Sequence, residues 1–240
     1  MELYGKTALV SGASSGLGQA IARRFVREGA QVIGIGRREL KEQECFRYLR
    51  CDITSEADTM ALAEKLEKVD ILVNCAGVTA IGSLKTTTLS QFRQQFEVNV
   101  FGLYQLTRAV LPLLEASEGG VIVNVGSELG TRAREERIAY CPSKAAVEML
   151  TRCMAMELAP RIRVNGILPG LMETPMTRDR FLNTPDPDAA RAAAGEKYLL
   201  GRLCTVEDAV EAALFLASPR SAFVTGDMLA VCGGGQFATR

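Results

Sequence analysis

The sequence predicts an α/β fold in which a doubly wound parallel β-sheet carries helices on both of its faces. Short apolar runs alternate with longer helical patterns along the 240 residues. The runs are apolar almost throughout, as expected for strands that are buried on both sides. The length suits one domain, and no repeat or linker divides the chain. We therefore expect a single domain over residues 1–240.

The strand and helix candidates follow one another in a regular order. The first strand candidate, residues 6–12, leads into a helix over residues 17–30, where Gly29 is suited to a helix C-cap. The remaining strand candidates are residues 31–36, 46–53, 69–77, 120–127, 161–170 and 226–234. The remaining helix candidates are residues 55–67, 89–116, 140–158 and 205–217.

Two segments depart from this alternation. Residues 37–50 connect the second and third strands with a short polar stretch that hardly accommodates a full crossover helix. Residues 172–200 are long, polar and contain prolines. Because connections of this length in a compact domain are usually functional, we expect residues 172–200 to form a lid over the substrate site.

The composition excludes several classes of function. The chain has 28 basic and 28 acidic residues, so it lacks the charge footprint of a nucleic-acid-binding or membrane-surface protein. It has no His, which excludes His-based triads and leads us to expect no metal site. We see no signal peptide and no membrane span. Seven scattered cysteines without a Cys-x-x-Cys pair suggest reduced thiols and a cytoplasmic location.

A glycine-rich stretch, SGASSGLG (residues 11–18), lies between the first strand and the first helix. Glycine permits a sharp turn and close approach of a ligand, and the following helix N-terminus offers free N–H groups to a pyrophosphate. A plain glycine turn is the alternative, but the position in the first βα unit favours a Rossmann-type dinucleotide site. The candidate contacts in this loop are Gly12, Ser14, Ser15, Gly16, Leu17 and Gly18.

The end of the second strand indicates which dinucleotide binds. An NAD site often has an acidic residue there, to accept a hydrogen bond from the ribose 2′-hydroxyl. Here Gly36 replaces the acid, and Arg37 and Arg38 supply charge suited to a 2′-phosphate. A solvated basic loop is the alternative, and the glycine loop itself supplies no second cation. We predict NADP(H) in preference to NAD(H).

A Tyr-x-x-x-Lys pair, Tyr140 and Lys144, opens the helix of residues 140–158. Residues four apart share a helix face, so Lys144 lies one turn beyond Tyr140. The pair alone is a weak motif. It gains weight from Ser127, which ends the fifth strand at the sheet edge where open parallel sheets bind ligands, and from Asn99 in the long middle helix.

Taken together, these residues and motifs resemble those of the short-chain dehydrogenase/reductase family, and the resemblance covers essentially the whole chain. The matching stretches, in order, are SGASSGLG, CDI, NCAG, NVFG, NVGS, YCPSK and LPGLMETPM. The resemblance implies reversible hydride transfer between a nicotinamide and a secondary alcohol or ketone. Tyr140 would be the acid and base, with its pKa lowered from about 10 by the Lys144 ammonium and by the cationic nicotinamide of the oxidised cofactor. Ser127 would bind the substrate oxygen, and Asn99 would hold a relay water.

The resemblance also assigns cofactor contacts outside the glycine loop and the basic pair. These positions are Asp52, Ile53, Asn74, Ala76, Gly77, Tyr140, Lys144, Pro169, Gly170, Met172 and Thr174. The first two would adjoin the adenine, Lys144 would bind the nicotinamide ribose, and the last two would meet the carboxamide. We expect Asn74 mainly to stabilise the sheet.

The resemblance leaves the substrate open. A 3-oxoacyl-thioester reductase and a dehydrogenase of sugars or cyclic alcohols are both compatible, because the lid supplies the substrate contacts. A non-catalytic nucleotide-sensing protein on the same fold is a remote alternative, which the complete quartet disfavours. Arg132, Arg134 and Arg137 form either a solvated loop or a contact to an anionic substrate. We expect a small-molecule carbonyl or alcohol substrate and a homo-oligomer, a tetramer or a dimer.

Overall fold

A computed structural model of the chain describes residues 1–40 and 44–237. In these ranges seven strands form one sheet in which every neighbouring pair is parallel, in the order β3-β2-β1-β4-β5-β6-β7. The strands are β1 Thr7–Ser11, β2 Gln31–Gly36, β3 Arg47–Arg50, β4 Ile71–Asn74, β5 Gly120–Val125, β6 Ile162–Pro169 and β7 Met228–Val231. The predicted doubly wound parallel sheet is confirmed.

Helices cover both faces of this sheet. They are α1 Gly16–Arg27, α2 Glu56–Ala63, α3 Leu89–Phe96, α4 Gly102–Glu115, α5 Glu128–Thr131, α6 Tyr140–Leu158, α7 Asp179–Leu182, α8 Pro187–Gly195 and α9 Val206–Ala217. Side-chain caps fix several helix starts, because a hydroxyl satisfies a backbone N–H that lacks a partner in the first turn. Thr205, for example, caps α9 in a reciprocal pair with Asp208.

The core consists of two apolar layers, one on each side of the sheet. Alternate residues of a strand enter opposite layers, so Ala8 and Val10 of β1 join one layer and Leu9 joins the other. The first layer includes apolar residues of α1 and α9, and the second includes residues of α2, α4 and α6. Burial on both sides explains why the strands read as continuous apolar runs.

The predicted helix over residues 89–116 is interrupted. Residues Glu97–Phe101 form a π-helical turn between α3 and α4, in which the Gly102 N–H donates to the Glu97 carbonyl five residues earlier. Such turns are rare and are frequently found at functional sites. Asn99, one of the predicted site residues, lies in the middle of this turn.

The two segments that depart from the strand–helix alternation, residues 37–50 and 172–200, differ in their content of regular structure. Between β2 and β3 the described residues contain no helix, and residues 41–43 lie outside the described ranges. The predicted lid, by contrast, contains α7 and α8. Phe181 of α7 is buried, and the Tyr198 hydroxyl of the lid donates a hydrogen bond to Glu128, which lies outside the lid, at 2.8 Å. The lid is therefore anchored to the body of the domain.

The described ranges contain neither a membrane-spanning helix nor a metal-binding cluster. None of the helices there is long and apolar enough to cross a membrane. The same ranges contain no group of three or more His, Cys, Asp or Glu side chains that could hold a metal ion. All seven cysteines fall within the described ranges, and each is a free thiol.

Candidate active site

The candidate site lies along the edge of the sheet where the central strands end. Gly12 follows β1, Gly77 lies just beyond β4, Ser127 follows β5 and Gly170 follows β6. In an open parallel sheet, this edge is the crevice where ligands bind. The topology therefore brings four of the predicted motifs to one side of the molecule.

Two glycines of the loop after β1 are required by close packing. A Cβ atom on Gly12, which has φ +72°, would lie 2.9 Å from the Ala76 Cα atom. A Cβ atom on Gly18 would lie 2.5 Å from the Gly12 carbonyl oxygen. Because both neighbours are backbone atoms, neither can move aside easily. The loop therefore holds its shape only with glycine at these two positions.

The N-terminus of α1 has the features of an anion-binding site. Ser15 is the N-cap residue, but its side chain makes no capping hydrogen bond, and the first turn has no acidic residue. The first N–H groups of the helix are therefore left without a side-chain partner, at the positive end of the helix dipole. This donor set and the glycine cradle fit the pyrophosphate of a dinucleotide.

Gly16 connects this loop to the far side of the crevice. A Cβ atom on Gly16 would lie 3.6 Å from the Thr174 Cβ atom and 3.6 Å from the Pro175 Cδ atom. The glycine loop thus faces the start of the lid at van der Waals distance. Gly16, like Gly12, has a positive φ, which favours glycine.

Arg38 reaches back onto the glycine loop. Its Nη2 atom lies 2.8 Å from the Ser15 Oγ atom and 3.3 Å from the Ser14 Oγ atom. The Tyr48 hydroxyl donates to the Arg38 carbonyl at 2.7 Å and occupies the space beside Gly36. A cation therefore does lie on the loop, supplied by the end of β2 rather than by the loop sequence.

Arg37 differs from Arg38. Its side chain is exposed and makes no hydrogen bond or ion pair with any residue that the structure describes. Tyr48, which the sequence analysis missed, is placed by strand pairing, because it lies opposite Gly34 in the β2–β3 register. A tyrosine in a strand gives no sign of this role until the register is known.

The other predicted adenosine residues are already engaged in the fold. The Asp52 carboxylate accepts hydrogen bonds from the Thr54 N–H and hydroxyl, at 3.0 and 2.8 Å. Ile53 is buried. Asn74 donates to the Asn124 side chain at 2.9 Å, which agrees with the expectation that it stabilises the sheet.

Ser11 fixes the backbone after β4. Its hydroxyl accepts hydrogen bonds from the Cys75 N–H at 3.0 Å and the Ala76 N–H at 3.1 Å. Leu17, the remaining loop residue among the predicted contacts, is buried in the apolar layer beneath α1. These contacts hold the loops after β1 and β4 side by side.

Tyr140 and Lys144 lie on the first two turns of α6. The Lys144 ammonium donates to the Val125 carbonyl at 2.8 Å and lies 5.9 Å from the centroid of the Tyr140 ring. Lys144 is only 6% exposed. Burial disfavours its charged form and lowers the pKa of Lys144 to about 8. The ammonium can therefore both hold and release a proton near neutral pH.

The pKa of the Tyr140 phenol differs from the one that the sequence analysis expects. Burial raises the pKa of Tyr140, and this effect outweighs the opposing influences of the Ser127 hydroxyl and the Arg137 charge. The lowering of the pKa that the sequence analysis expects from Lys144 is not seen in the protein alone. The physical reason is the burial of Tyr140, which disfavours the charged phenolate. Tyr140 is therefore protonated at neutral pH.

Asn99 links the π-helical turn to α6 and to the loop after β4. Its amide accepts from the Val78 N–H at 2.8 Å and donates to the Val78 carbonyl at 3.0 Å. It also donates to the Ser143 hydroxyl at 3.0 Å, and that hydroxyl donates to the Tyr140 carbonyl at 2.7 Å. Gly77 leaves open the space beside Asn99 and Lys144.

Ser127 caps a short helix that the sequence did not indicate. β5 ends at Val125, and the Ser127 hydroxyl accepts from the Leu129 N–H at 3.1 Å. The next residue, Glu128, is buried and accepts from the Tyr198 hydroxyl at 2.8 Å. Tyr198 belongs to the C-terminal part of the lid, so this contact joins Ser127 to the lid.

The turn after β6 holds the last predicted contacts. Pro169 ends β6, and a Cβ atom on Gly170 would lie 3.1 Å from the Tyr198 ring. The Thr177 hydroxyl bonds to the Met172 carbonyl and accepts from the Thr174 N–H at 3.0 Å. Thr177, which the sequence analysis missed, therefore ties the turn together.

This fold and site define an oxidoreductase of the α/β dinucleotide-binding type, and sequence comparison identifies the family. A family model described as "Enoyl-(Acyl carrier protein) reductase" matches residues 12–236. The chain belongs to the short-chain dehydrogenase/reductase family, as the motifs predict.

Relatives of known name cover nearly the whole chain. The 3-oxoacyl-[acyl-carrier-protein] reductase FabG of Vibrio cholerae is 37% identical over 98% of both chains. The structure of Thermoplasma acidophilum aldohexose dehydrogenase has a TM-score of 0.94 and 30% identity, over 98% of this chain and 95% of that one. A Pseudomonas aeruginosa RhlG/NADP active-site complex has a TM-score of 0.89 and 32% identity, over 98% of both chains.

Proposed function

We propose that this protein is an NADP(H)-dependent oxidoreductase that interconverts a secondary alcohol and a ketone. The observation that carries the proposal is the position of Tyr140, protonated and beside Ser127, one helical turn before the buried Lys144 ammonium. When bound, the nicotinamide exchanges a hydride with the substrate carbon. The protein supplies binding, orientation and the accompanying proton.

The residues divide this work among them. Ser127 positions the substrate oxygen near the Tyr140 hydroxyl, so that the proton moves over a short distance. Tyr140 donates its proton as the carbonyl oxygen gains charge, and in the reverse direction the phenolate takes it back. Lys144 then returns a proton toward Tyr140. Because the pKa of Tyr140 is raised, the phenol is protonated at neutral pH and can donate its proton to a carbonyl oxygen.

Arg38 supports NADP(H) as the cofactor. Its contacts with Ser14 and Ser15 hold a guanidinium next to the glycine loop, where a 2′-phosphate at the end of β2 would accept paired hydrogen bonds. Gly36 takes the place of the acidic residue that an NAD site often carries. The relative solved with NADP at its active site supports the same choice.

Two substrate classes compete. The similarity to a 3-oxoacyl-[acyl-carrier-protein] reductase supports a reductase of 3-oxoacyl thioesters. The similarity to an aldohexose dehydrogenase supports a dehydrogenase of a sugar or cyclic alcohol, for which NAD(H) is the alternative cofactor. Both classes are compatible with the constellation around Tyr140, and we expect the lid to select between them.

Exposed apolar side chains support assembly into a homo-oligomer, a dimer or a tetramer. Tyr104 on α4 is 49% exposed, and Met149 and Met156 on α6 are 57% and 85% exposed. Apolar helix faces of this kind are suited to contacts between copies of a chain. The free thiols of all seven cysteines support a reducing, cytoplasmic location.

Turnover by a Tyr140→Phe variant tests the proposed function. Removing the hydroxyl leaves the ring in place and removes the proton donor, so we expect reduction of a ketone panel to fall at least about 1000-fold. Binding of NADPH, followed by fluorescence, should stay within a few-fold of the wild type. Tyr4→Phe, which removes a hydroxyl from an exposed tyrosine, is the matched control and should keep full activity.

Turnover near the wild-type rate in Tyr140→Phe contradicts the proposed mechanism. Loss of NADPH binding together with activity points instead to a structural role for the hydroxyl. Equal losses in the Tyr140→Phe and Tyr4→Phe variants contradict a specific role for Tyr140.

A further inference from the structure

A cavity of about 180 Å³ lies between the loop after α5 and the lid. Its walls are formed by Arg132, Ala133, Arg134, Leu171, Arg180, Ala194, Lys197 and Tyr198. Four of these side chains are cationic, and no carboxylate is among the described residues that line it. The loop that carries two of the arginines leads directly into Tyr140.

One of the four cations already has a partner. Arg132 forms an ion pair with the buried Glu128 carboxylate at 3.2 Å, behind the cavity wall. Arg134, Arg180 and Lys197 form no ion pair with any residue in the described part of the chain. The positive charge of the cavity is therefore only partly balanced.

The guanidinium of Arg137, which does not line the cavity, also acts electrostatically on this group of cations. The surrounding protein and then the nearby Arg134 and Arg137 charges lower the pKa of Arg180. Burial and then Arg134 lower the pKa of Arg137. The charges of the three guanidinium groups therefore repel one another. Such repulsion destabilises the folded protein unless an anion enters.

The loop that carries Arg137 is held in place by hydrogen bonds. The Arg137 carbonyl accepts from the Cys141 N–H at 3.0 Å, as the turn before α6, and its guanidinium donates to the Glu136 carbonyl at 2.9 Å. The Glu136 carbonyl also accepts from the Gly82 N–H at 2.9 Å, which pins the loop. On the opposite wall, Arg180 adjoins the buried Phe181 in α7.

We propose that Arg134, Arg137 and Arg180 form a subsite for a carboxylate, so that the substrate is a small hydroxy acid or oxo acid. The proposal rests on the proposed function, because it places the carboxylate of the substrate beside the reacting hydroxyl of Tyr140. A planar guanidinium binds a carboxylate with two parallel hydrogen bonds, and several of them fix its orientation. The size of the cavity suits a short acid.

Arg137 connects the subsite to the chemistry. It lies one helical turn before Tyr140, near enough for its charge to lower the pKa of that phenol. A substrate whose carboxylate binds the arginines would therefore lie between them and Tyr140. Its hydroxyl or carbonyl carbon would lie a few bonds from the acid group.

The test compares binding of short hydroxy acids with binding of their amides. Isothermal titration of the cofactor-saturated protein uses acids with the hydroxyl on the second, third or fourth carbon, and methyl phosphate as a further probe. We expect the best acid to bind about 10- to 100-fold more tightly than its amide. In Arg180→Gln and Arg134→Gln, this ratio should fall about tenfold.

Arg178→Gln is the matched control. Arg178 precedes α7 on the same lid, is exposed, pairs with Asp179 at 3.8 Å and does not line the cavity. We expect this variant to keep the wild-type ratio. A loss in Arg178→Gln equal to that in Arg180→Gln would contradict a built subsite and indicate a general charge effect.

Other outcomes separate the subsite from the proposed function. Equal affinity for every acid and its amide overturns the subsite, even if a neutral ketone is reduced. A preference for the acid without any hydride transfer supports the subsite and contradicts the proposed function. Tighter binding of methyl phosphate than of any hydroxy acid overturns the choice of a carboxylate.

Discussion

The two ends of the crevice are built from different parts of the chain. At the glycine loop, backbone packs against backbone, with Gly18 against Gly12 and Gly12 against Ala76. At the lid, side chains make the contacts, with Tyr198 bonded to Glu128 and Arg191 bonded to Glu173. One end excludes side chains and leaves room for a ligand, and the other is built from side chains, which we propose select the substrate.

The difference indicates which end tolerates change. A backbone cradle fits the phosphates that every dinucleotide shares, and it fails as a whole when a single atom is added. A side-chain wall can change its substrate by substitution while the fold is kept. Relatives that share this fold and differ in substrate are expected to differ mainly at the lid.

The largest effect should come from breaking the backbone-built end. The Cβ atom of Gly18→Ala would lie 2.5 Å from the Gly12 carbonyl oxygen. Overpacking against backbone should cost about 3 kcal/mol of the free energy of unfolding and abolish cofactor binding. Chemical denaturation and cofactor titration measure the two effects.

Gly119→Ala is the matched control for that variant. Gly119 has φ +81°, and nothing lies within 4 Å of its Cβ position, so only the backbone conformation is strained. We expect a cost of about 1–2 kcal/mol and normal cofactor binding. Equal losses in both variants would contradict the cradle.

A smaller effect should come from the lid end. The Tyr198 hydroxyl donates to Glu128 at 2.8 Å and accepts from the Leu171 N–H at 2.7 Å. Tyr198→Phe leaves both groups without their partner, so the free energy of unfolding should fall by about 2 kcal/mol. Cofactor affinity should hold, while KM for the substrate rises. Tyr4→Phe, at an exposed tyrosine, should change neither.

The smallest expected effect is a gain, rather than a loss, in the free energy of unfolding at neutral pH. Folding lowers the pKa of Lys144 from 10.5 to about 8, which corresponds to a penalty of about 3 kcal/mol on the folded protein below pH 8. Lys144→Met removes this penalty but also removes the hydrogen bond to Val125, worth about 1–2 kcal/mol. We expect about 1 kcal/mol of net stabilisation at pH 7, with activity lost.

The pH dependence tests the sign. Between pH 8 and 10.5 the unfolded wild-type chain holds a proton on Lys144 that the folded protein lacks, so wild-type stability rises with pH. Lys144→Met should lack this rise. Lys85→Met, at an exposed lysine, should keep it. A wild-type free energy of unfolding that falls between pH 8 and 10.5, with no such fall in Lys144→Met, would contradict the lowered pKa of Lys144.

Local pattern predicts the sheet and the helices that pack on it. Alternating apolar runs, the glycine loop and the Tyr140–Lys144 spacing are properties of neighbouring residues, and each maps onto the element predicted for it. The interruption at Asn99 could not be predicted in this way. There the Asn99 side chain accepts a hydrogen bond from the Val78 N–H, which lies in a loop 21 residues earlier in the chain.

The contacts of the site that the sequence did not predict also join residues that are far apart in the chain. Arg38 reaches Ser15 across 23 residues, and Tyr198 reaches Glu128 across 70. Such pairs leave no periodic signal in the sequence. The raised pKa of Tyr140 was missed for a related reason, because burial depends on the whole fold, whereas the proximity of Lys144 is a local property.

Titration of the protein with NADPH and with NADH, followed by the fluorescence of the reduced nicotinamide, tests the central claim most directly. We expect NADPH to bind at least about tenfold more tightly, and Arg38→Gln to remove most of this preference while Arg37→Gln, at an exposed arginine without a described partner, removes little. Tighter binding of NADH would contradict the role of Arg38, and binding of neither would contradict the proposed activity.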